Sequence, residues 1–377
     1  MTELYTKEQQ ELLKMVQNFA ENEIMPVSKE HDISGEFPLE VYKKAFEMGL
    51  HATSIPKKFG GSELSHLMNA ILFEEIAHAD PGFAVSLITM VFGMDPYLIA
   101  GNEDQQKRFA DIVVPGAFSA FALTEPNAGS DVSAVRTTAR KVGNEYVLNG
   151  TKCFITNGAY ADVFTVFAST DPSKGARGIS AFLVEKSRGG IRAGSEENKM
   201  GCRLSNTTDV ILEDCVIPAS NLLGSEGQGF KLAMECLNNS RPLVGAMAVG
   251  LSRAATEHAT KYAKERLAFG KPIASLQAIQ MILADMDIAV ETSRQICHHA
   301  ARMIDAGFGG VREGSIAKAY ACDCAMKVTT DAVQVLGGYG YSRDYPVEKL
   351  MRDAKVFQIF EGTAQVQRVS IARQMTK

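Results

Sequence analysis

The run DVFTVFAST, Asp162–Thr170, decides how this chain is read. Val163 to Phe167 is an unbroken series of β-branched and aromatic residues, and Asp171–Pro172 follows as a turn, so the run reads as a strand. Three companions share its texture: NEYVLNG (Asn144–Gly150), ISAFLVEK (Ile179–Lys186) and TTDVILEDCVI (Thr207–Ile217). Gly, Asn, Asp and Pro turns separate them. No helical run intervenes, which disfavours a parallel βαβ sheet and predicts a compact β-domain over residues 119–224.

Both flanks read as helical. Upstream, Thr6 and Gln9 form a capping box ahead of Leu12, Leu13, Val16, Phe19, Ala20 and Ile24 at helical spacing. SHLMNAILFEEIAHAD (Ser65–Asp80) is a second amphipathic run, and DPYLIAG (Asp95–Gly101) opens with a cap residue and a first-turn proline. Downstream, Leu243–Phe269, Ser275–Ile304 and Ser315–Gly338 each have the length of a bundle helix, with small and apolar residues on more than one side. The expected fold class is α+β: an N-terminal helical domain (1–118), a central β-barrel-like domain (119–224) and a C-terminal four-helix bundle (225–377).

Composition narrows the function. At 377 residues the chain exceeds one simple core. Its 46% hydrophobic and 22% charged residues are ordinary for a globular protein. A net charge of −5 argues against a nucleic-acid footprint. MTELYTKEQQ lacks an apolar signal core, and LITMVFGMDPYLIA is interrupted by Asp95 and Pro96, so no apolar stretch is expected to reach the ~18 residues of a membrane span. The expectation is a cytoplasmic protein without membrane insertion. Seven cysteines, an odd number with no CxxC, predict reduced thiols. ICHHA and ACDCA place neighbouring residues on different helix faces, so no metal site is expected.

Four segments carry candidate chemistry. In FALTEPNAGSD (Phe121–Asp131), Thr124, Ser130 and the backbone near Gly129 offer hydrogen bonds to a polar ligand; a polar turn entering the β-domain is the alternative. LGGYGY (Leu336–Tyr341) lacks the preceding strand and GxGxxG spacing of a dinucleotide loop. Gly337 reads as a helix stop, with backbone amides free to meet a phosphate. KERLAFGKPI (Lys264–Ile273) joins Arg266, a phosphate ligand by type, to Phe269, a partner for a planar ring; a solvated helix end is at least as good a reading. KVFQIFEGTAQVQRV (Lys355–Val369) sets Glu361 after Ile359 and Phe360 and before Gly362. If the run is helical to Gly362, burial and the helix dipole both raise the pKa of Glu361, as a general base requires; an exposed helix end is the alternative.

Together these segments resemble the acyl-CoA dehydrogenase family. TEPNAGSD, KCFITNG, ERLAFGKPI, QVLGGYGY, YPVEKLMRDAK and FEGTAQVQR occur in the family's order and spacing across essentially the whole chain. The resemblance implies non-covalent FAD and oxidation of a CoA thioester between its α and β carbons. Glu361 matches the catalytic base, with hydride passing to flavin N5 and the thioester oxygen held by the Glu361 amide and a ribityl hydroxyl. Phe121, Leu123, Thr124, Gly129 and Ser130 match flavin or thioester contacts, and Phe154 and Thr156 flank the flavin ring. Arg266, Phe269, Gln277, Gln334 and Gly338 match residues reaching the FAD of a neighbouring subunit, which implies an obligate oligomer, in this family usually a homotetramer. Thr363 and Gln365 match contacts to the adenine-nucleotide half. Ser130, Asn238, Arg241, Phe360 and Gly362 are candidate substrate contacts.

Three positions depart from the common pattern: Phe154 stands where many members have Trp, Phe360 where medium-chain relatives have Tyr, and Asn238 where some have Asp. Members that place the base near Arg241 have a carboxylate there; this chain has Asn239 and Ser240. The resemblance also implies an acyl pocket floored by AVSLITMVFGMDPY (Ala84–Tyr97). Bulky Met90, Val91, Phe92 and Met94 favour a short, branched or alicyclic acyl group. Asp95 is a candidate contact to a polar acyl end, against the simpler reading of a helix cap. Electron-transfer flavoprotein is the implied acceptor. The rival readings are an oxidase or monooxygenase on this scaffold and a non-catalytic CoA-binding assembly protein.

Overall fold

The computed structural model describes residues 5–376. Met1–Leu4, which open the polar N-terminal segment, and Lys377 lie outside the described residues. The chain begins with α1 (Lys7–Phe19), whose capping box forms as expected: Thr6 Oγ1 accepts from the Gln9 amide at 3.2 Å, and Gln9 Oε1 accepts from the Thr6 amide at 2.9 Å. After a π-turn at Ala20–Ile24 come α2 (Met25–Ser34), α3 (Leu39–Glu47), α4 (His66–Ala79), α5 (Pro81–Phe92), α6 (Asp95–Ala100) and α7 (Glu103–Val113).

All of α5 is buried, because α4, strand residues and a long C-terminal helix surround it; a helix enclosed this way is apolar all round. This corrects the expectation about apolar length. Pro81–Ala100 is 20 residues and contains an 18-residue window of mean hydropathy 1.6, enough for a span by composition, yet 83% of that window is buried inside the protein. Asp95 and Pro96 do not dilute the stretch; they begin α6 after a break at Gly93–Met94.

The β-domain contains β1 (Phe118–Ala122), β2 (Thr138–Val142), β3 (Glu145–Thr156), β4 (Ala161–Ser169), β5 (Ile179–Glu185), β6 (Ile191–Glu196), β7 (Thr207–Pro218) and β8 (Leu222–Leu223). Their order is β6-β7-β3-β2-β4-β5-β8, with β1 parallel to β4. DVFTVFAS falls in β4, buried at every position but Asp162, which explains its continuous apolar pattern; Thr170 follows the strand. Among the described residues no barrel closes, a correction to the barrel-like reading. β2 and β4 share one register pair, Thr138 with Ser169, and the end strands β6 and β8 remain unpaired with each other. A barrel needs continuous staggered pairing, and the short β2 supplies too little edge. The two halves instead face one another, with Tyr146 of β3 against Phe182 of β5 at 4.9 Å between ring centroids.

Three long helices follow, α8 (Gly229–Glu265), α9 (Gln277–Asp305) and α10 (Val311–Leu336), then α11 (Val347–Phe357) and α12 (Ala364–Met375) against α10. A two-residue-per-strand hairpin, β9 (Leu267–Ala268) and β10 (Lys271–Pro272), links α8 to α9. Glycine permits the closest approach: a Cβ at Gly250 of α8 would lie 2.0 Å from the Glu74 carbonyl oxygen of α4. The same contact is flanked by Arg294–Glu74 at 3.0 Å and Arg253–Glu75 at 2.6 Å. Lys349 of α11 bridges Asp80 at 2.8 Å and Asp353 at 2.6 Å, and Asp353 accepts from the Cys202 amide at 2.6 Å, so α11 ties the N-terminal helices to the β-domain. All seven cysteines are free thiols.

Candidate active site

Glu361 lies in the turn between α11 and α12, where the local backbone departs from the sequence reading. α11 ends at Phe357, not at Gly362, so Glu361 is not at a helix end. Glu361 and Gly362 both take positive φ, 56° and 86°. The left-handed region strains a residue with a Cβ. Glycine is required next: a Cβ at Gly362 would meet Gln367 Nε2 at 2.5 Å. Thr363 then caps α12, its Oγ1 accepting from the Val366 amide at 3.1 Å.

Glu361 is half-buried, and two long helices approach its turn. Ser240 Oγ of α8 donates to Glu361 Oε2 at 2.9 Å. Burial raises the carboxyl pKa; the Ser240 hydrogen bond and the charges of Arg241 and Lys318 oppose that rise without cancelling it. Lys318 of α10 is fully buried and donates to the Gly362 carbonyl at 2.7 Å. Gln367 Nε2 donates to the carbonyls of Glu361 and Gly362 at 3.0 and 3.1 Å. Phe360 packs on Phe357 with centroids 5.1 Å apart. Ile359 is 54% exposed and contributes nothing to drying the carboxylate, because the chain has already left the helix and turns it outward.

Arg241 is buried beside this turn, donating to Asn238 Oδ1 and, at 3.4 Å, to Ser315 Oγ; its Nε has no partner. Asp95 does not cap α6, whose N-cap is Met94 with no side-chain bond. Its carboxyl is buried, and desolvation pushes its pKa up to about 6 against the pull of His66 and a hydrogen bond from Asn239. The charge of Glu361 adds to that rise, so two buried carboxyls share one neighbourhood. Met90, Val91, Phe92 and Met94 are all buried, and Phe92 packs on Phe121 of β1 at 5.6 Å.

The β-domain candidates form a second group. The Cys153 amide donates to the Thr124 carbonyl at 2.9 Å, joining the loop after β1 to β3. The β3–β7 register shifts between Lys152 and Ile155, and within that bulge Phe154 has φ 56° and is 63% exposed. A bulge re-aims a side chain, here an aromatic ring outward. Leu123 is buried, Phe121, Thr124 and Thr156 are half-buried, and Gly129 and Ser130 are exposed; beyond Gly129 there is open space.

Arg266, Phe269, Gln277, Gln334 and Gly338 are exposed where α8 ends, α9 begins and α10 ends. The Arg266 guanidinium lies 5.5 Å from the Tyr339 ring centroid. Phe269, with φ 53°, sits with Gly270 at the hairpin tip rather than on a solvated helix end. Gly337 ends α10, as the sequence reading expects. Thr363 and Gln365 line a separate cleft of about 380 Å³ with Lys355, Gln358 and Arg368.

Three family models match in sequence order: the acyl-CoA dehydrogenase N-terminal domain over residues 6–116, middle domain over 120–215 and C-terminal domain over 227–376. An acyl-CoA dehydrogenase of Bacillus subtilis is 44% identical, covering 98% of both chains. The chain belongs to the acyl-CoA dehydrogenase family. Acryloyl-CoA reductase (NADH) of Anaerotignum propionicum is also 44% identical, over 99% of this chain and 95% of its own. Among solved structures, butyryl-CoA dehydrogenase of Megasphaera elsdenii superposes with a TM-score of 0.96 at 40% identity, over 99% of each chain. A chain in the structure of the electron transferring flavoprotein of Acidaminococcus fermentans matches with a TM-score of 0.96 at 43% identity, again over 99% of each.

As an acyl-CoA dehydrogenase the protein is an oxidoreductase acting on the CH–CH group of an acyl-CoA, with FAD as cofactor. The residues present fit that group: Phe154 offers a bare aromatic face, and Gly129 and Gly338 border open space. Sequence reasoning missed Lys318, Gln367 and the buried pair Glu125–Lys152. Lys318 had one visible signal, a single cation inside the small-residue run SIAKAYACDC.

Proposed function

We propose that this acyl-CoA dehydrogenase oxidises a short, branched or alicyclic acyl-CoA to the enoyl-CoA, with Glu361 taking the α-proton. The observation that carries the reading is the half-buried Glu361 carboxylate, held by Ser240 at 2.9 Å with the Arg241 and Lys318 charges acting on it. Burial that raises a carboxyl pKa strengthens it as a base, and the Ser240 hydrogen bond and the two cations oppose that rise. Bound FAD supplies the acceptor for the β-hydride.

The chain's own groups then have assignable work. Gly362 lets the backbone turn so that the carboxylate and amide of Glu361 face the same side. We assign Asn238, Arg241, Phe360 and Gly362 to the thioester and CoA side, with the unpartnered Arg241 Nε as a donor still to be used. Asp95 and Ser130 are assigned to the acyl group and its approach. Phe121, Leu123, Thr124, Gly129, Phe154 and Thr156 are assigned to the flavin ring and its chain. Thr363 and Gln365, in their cleft, are assigned to the adenine nucleotide.

Arg266, Phe269, Gln277, Gln334 and Gly338 are assigned to a neighbouring subunit's cofactor, which requires an oligomer, and a homotetramer is the proposed state. Electron-transfer flavoprotein is the proposed acceptor, supported by the Acidaminococcus likeness. The proposed domain boundaries at 118/119 and 224/225 lie near the start of β1 at Phe118 and the gap between β8 and α8. Seven free thiols fit a reducing cytoplasm.

The test follows flavin absorbance while the purified yellow protein is mixed with butyryl, isobutyryl, isovaleryl, octanoyl, glutaryl and cyclohexanecarboxyl thioesters. Glu361→Gln should still bind FAD and thioester but bleach about 10²–10⁴-fold more slowly, the usual worth of a positioned base. Near-normal bleaching by that variant overturns the assignment of the base. Fastest bleaching with the octanoyl thioester overturns the substrate class.

A further inference from the structure

A lysine with no exposed surface needs a reason, because taking an ammonium out of water costs several kcal/mol unless it is well paired. Lys318 is such a residue. It rises from the N-terminal third of α10 and, among the described residues, makes one hydrogen bond, to the carbonyl of Gly362 at 2.7 Å. Its ammonium also lies 6.0 Å from the Phe360 ring centroid, so it touches the residues on both sides of Glu361. Among the described residues no carboxylate lies within ion-pairing distance of it, although other buried cations here have one: Lys152 meets Glu125 at 2.6 Å, and Lys349 meets two aspartates.

The turn it holds is strained. Glu361 and Gly362 take consecutive positive φ values, and for a glutamate this conformation costs on the order of 1–2 kcal/mol. Gln367 holds the same two carbonyls from α12, so the turn is clamped from both sides. Lys318 alone adds charge to the clamp.

We propose that Lys318 is a positioning residue for proton abstraction: through the Gly362 carbonyl it fixes the left-handed turn that presents Glu361, and its buried ammonium faces the carboxylate as a fixed positive charge. The inference rests on Glu361 being the base. The groups around that carboxylate are Ser240, Arg241 and Cys236 on α8, Lys318 on α10 and Asp95 on α6. Around Lys318 itself stand Cys322 and Asp323 on its own helix and Arg241 opposite. Lys318 therefore keeps Glu361 ionised at lower pH than Ser240 and Arg241 would alone.

Lys318→Gln removes the charge but keeps a donor, and Lys318→Met removes both. Two measurements follow the same event: the pH dependence of single-turnover flavin bleaching, and the infrared carboxyl stretch of substrate-free protein, assigned by its loss in Glu361→Gln. Without the charge, both midpoints should move up by roughly one pH unit, an interaction of ordinary size for partly screened buried charges. Bleaching below the midpoint should slow about tenfold, with the alkaline plateau kept in Lys318→Gln. Lys318→Arg should restore the midpoint. A purely structural lysine predicts slower bleaching at every pH with an unmoved midpoint, and that result overturns the proposal. If Lys318→Met does not fold, Lys318→Gln decides. Fast bleaching by Glu361→Gln defeats the base itself; a slow Glu361→Gln with an unshifted Lys318→Gln defeats Lys318 alone.

Discussion

Lys152 Nζ lies 2.6 Å from Glu125 Oε1, and both side chains are buried, with 0% and 4% of their surfaces exposed. The pair does more than neutralise itself. Lys152 also donates to the Leu123 carbonyl at 3.1 Å, while Glu125 accepts from the amides of Arg136 and Thr137 at 2.7 and 3.0 Å. The loop from β1 to β2, which carries Thr124, Gly129 and Ser130, is thereby fastened at both ends to the strand that bears Phe154. Burial lowers the Lys152 pKa to about 8 despite the pull of Glu125. Burial also acts to raise the Glu125 carboxyl, but Lys152 holds it below its usual value.

Lys152→Met should therefore be costly, because it leaves Glu125 buried with its counter-charge removed. Loss of one partner of a buried pair typically costs about 3–5 kcal/mol. Adding Glu125→Gln should recover much of that loss, giving a favourable coupling in a double-mutant cycle. Denaturant unfolding of apoprotein and the dissociation constant for FAD are the measurements. A Lys152→Met variant within 1 kcal/mol of wild type, or one with unaltered FAD affinity, would remove the pair from the account of this loop.

Local signals were legible and distant ones were not. The Thr6 box, the continuous apolar run of β4 and the Gly337 stop are each decided by residues a few positions apart, and each forms as read. Ser240 and Lys318 meet the Glu361–Gly362 turn from 121 and 44 residues away, and no periodicity announces such a meeting. Asp95 misled for a related reason. Asp before Pro is a good cap by local rules, but α6 begins one residue earlier and burial beside Asn239 claims the carboxyl. The barrel reading failed at a single strand, β2, whose length does not reveal which neighbour it meets.

Asp95 gives a pH-dependent prediction with a definite sign. Burial raises its pKa from 3.8 to about 6 in the folded protein, so ionised Asp95 destabilises the fold. Below pH ~4 both states carry the proton and Asp95 costs little; the cost builds as pH rises from the unfolded value to the folded value, where the unfolded state alone is ionised, and is constant above it. Two pKa units correspond to about 3 kcal/mol. Asp95→Asn should match wild type near pH 4 and exceed it by up to about 3 kcal/mol at pH 7.5, as measured by denaturant unfolding. A constant offset between the two proteins across this range would mean that Asp95 is not held in a raised state.

Phe269 tests the proposed tetramer without touching the core. It is 90% exposed at the hairpin tip, beside Leu267 at 63%, while Met281 and Ile288 on α9 are 64% and 59% exposed. Exposed aromatic residues of this kind contribute to assemblies far more than to the chain that carries them. Phe269→Ala should leave secondary structure intact and the monomer's own stability within about 0.5 kcal/mol, the usual range for surface changes. In an interface, losing a buried aromatic anchor costs about 2 kcal/mol or more at each copy, so dissociation should appear at concentrations where wild type stays assembled. Sedimentation velocity over a dilution series reads this directly, and retained FAD reads the second consequence, since the hairpin is assigned to a neighbour's cofactor. Unchanged sedimentation together with unchanged FAD retention would exclude the hairpin from the interface.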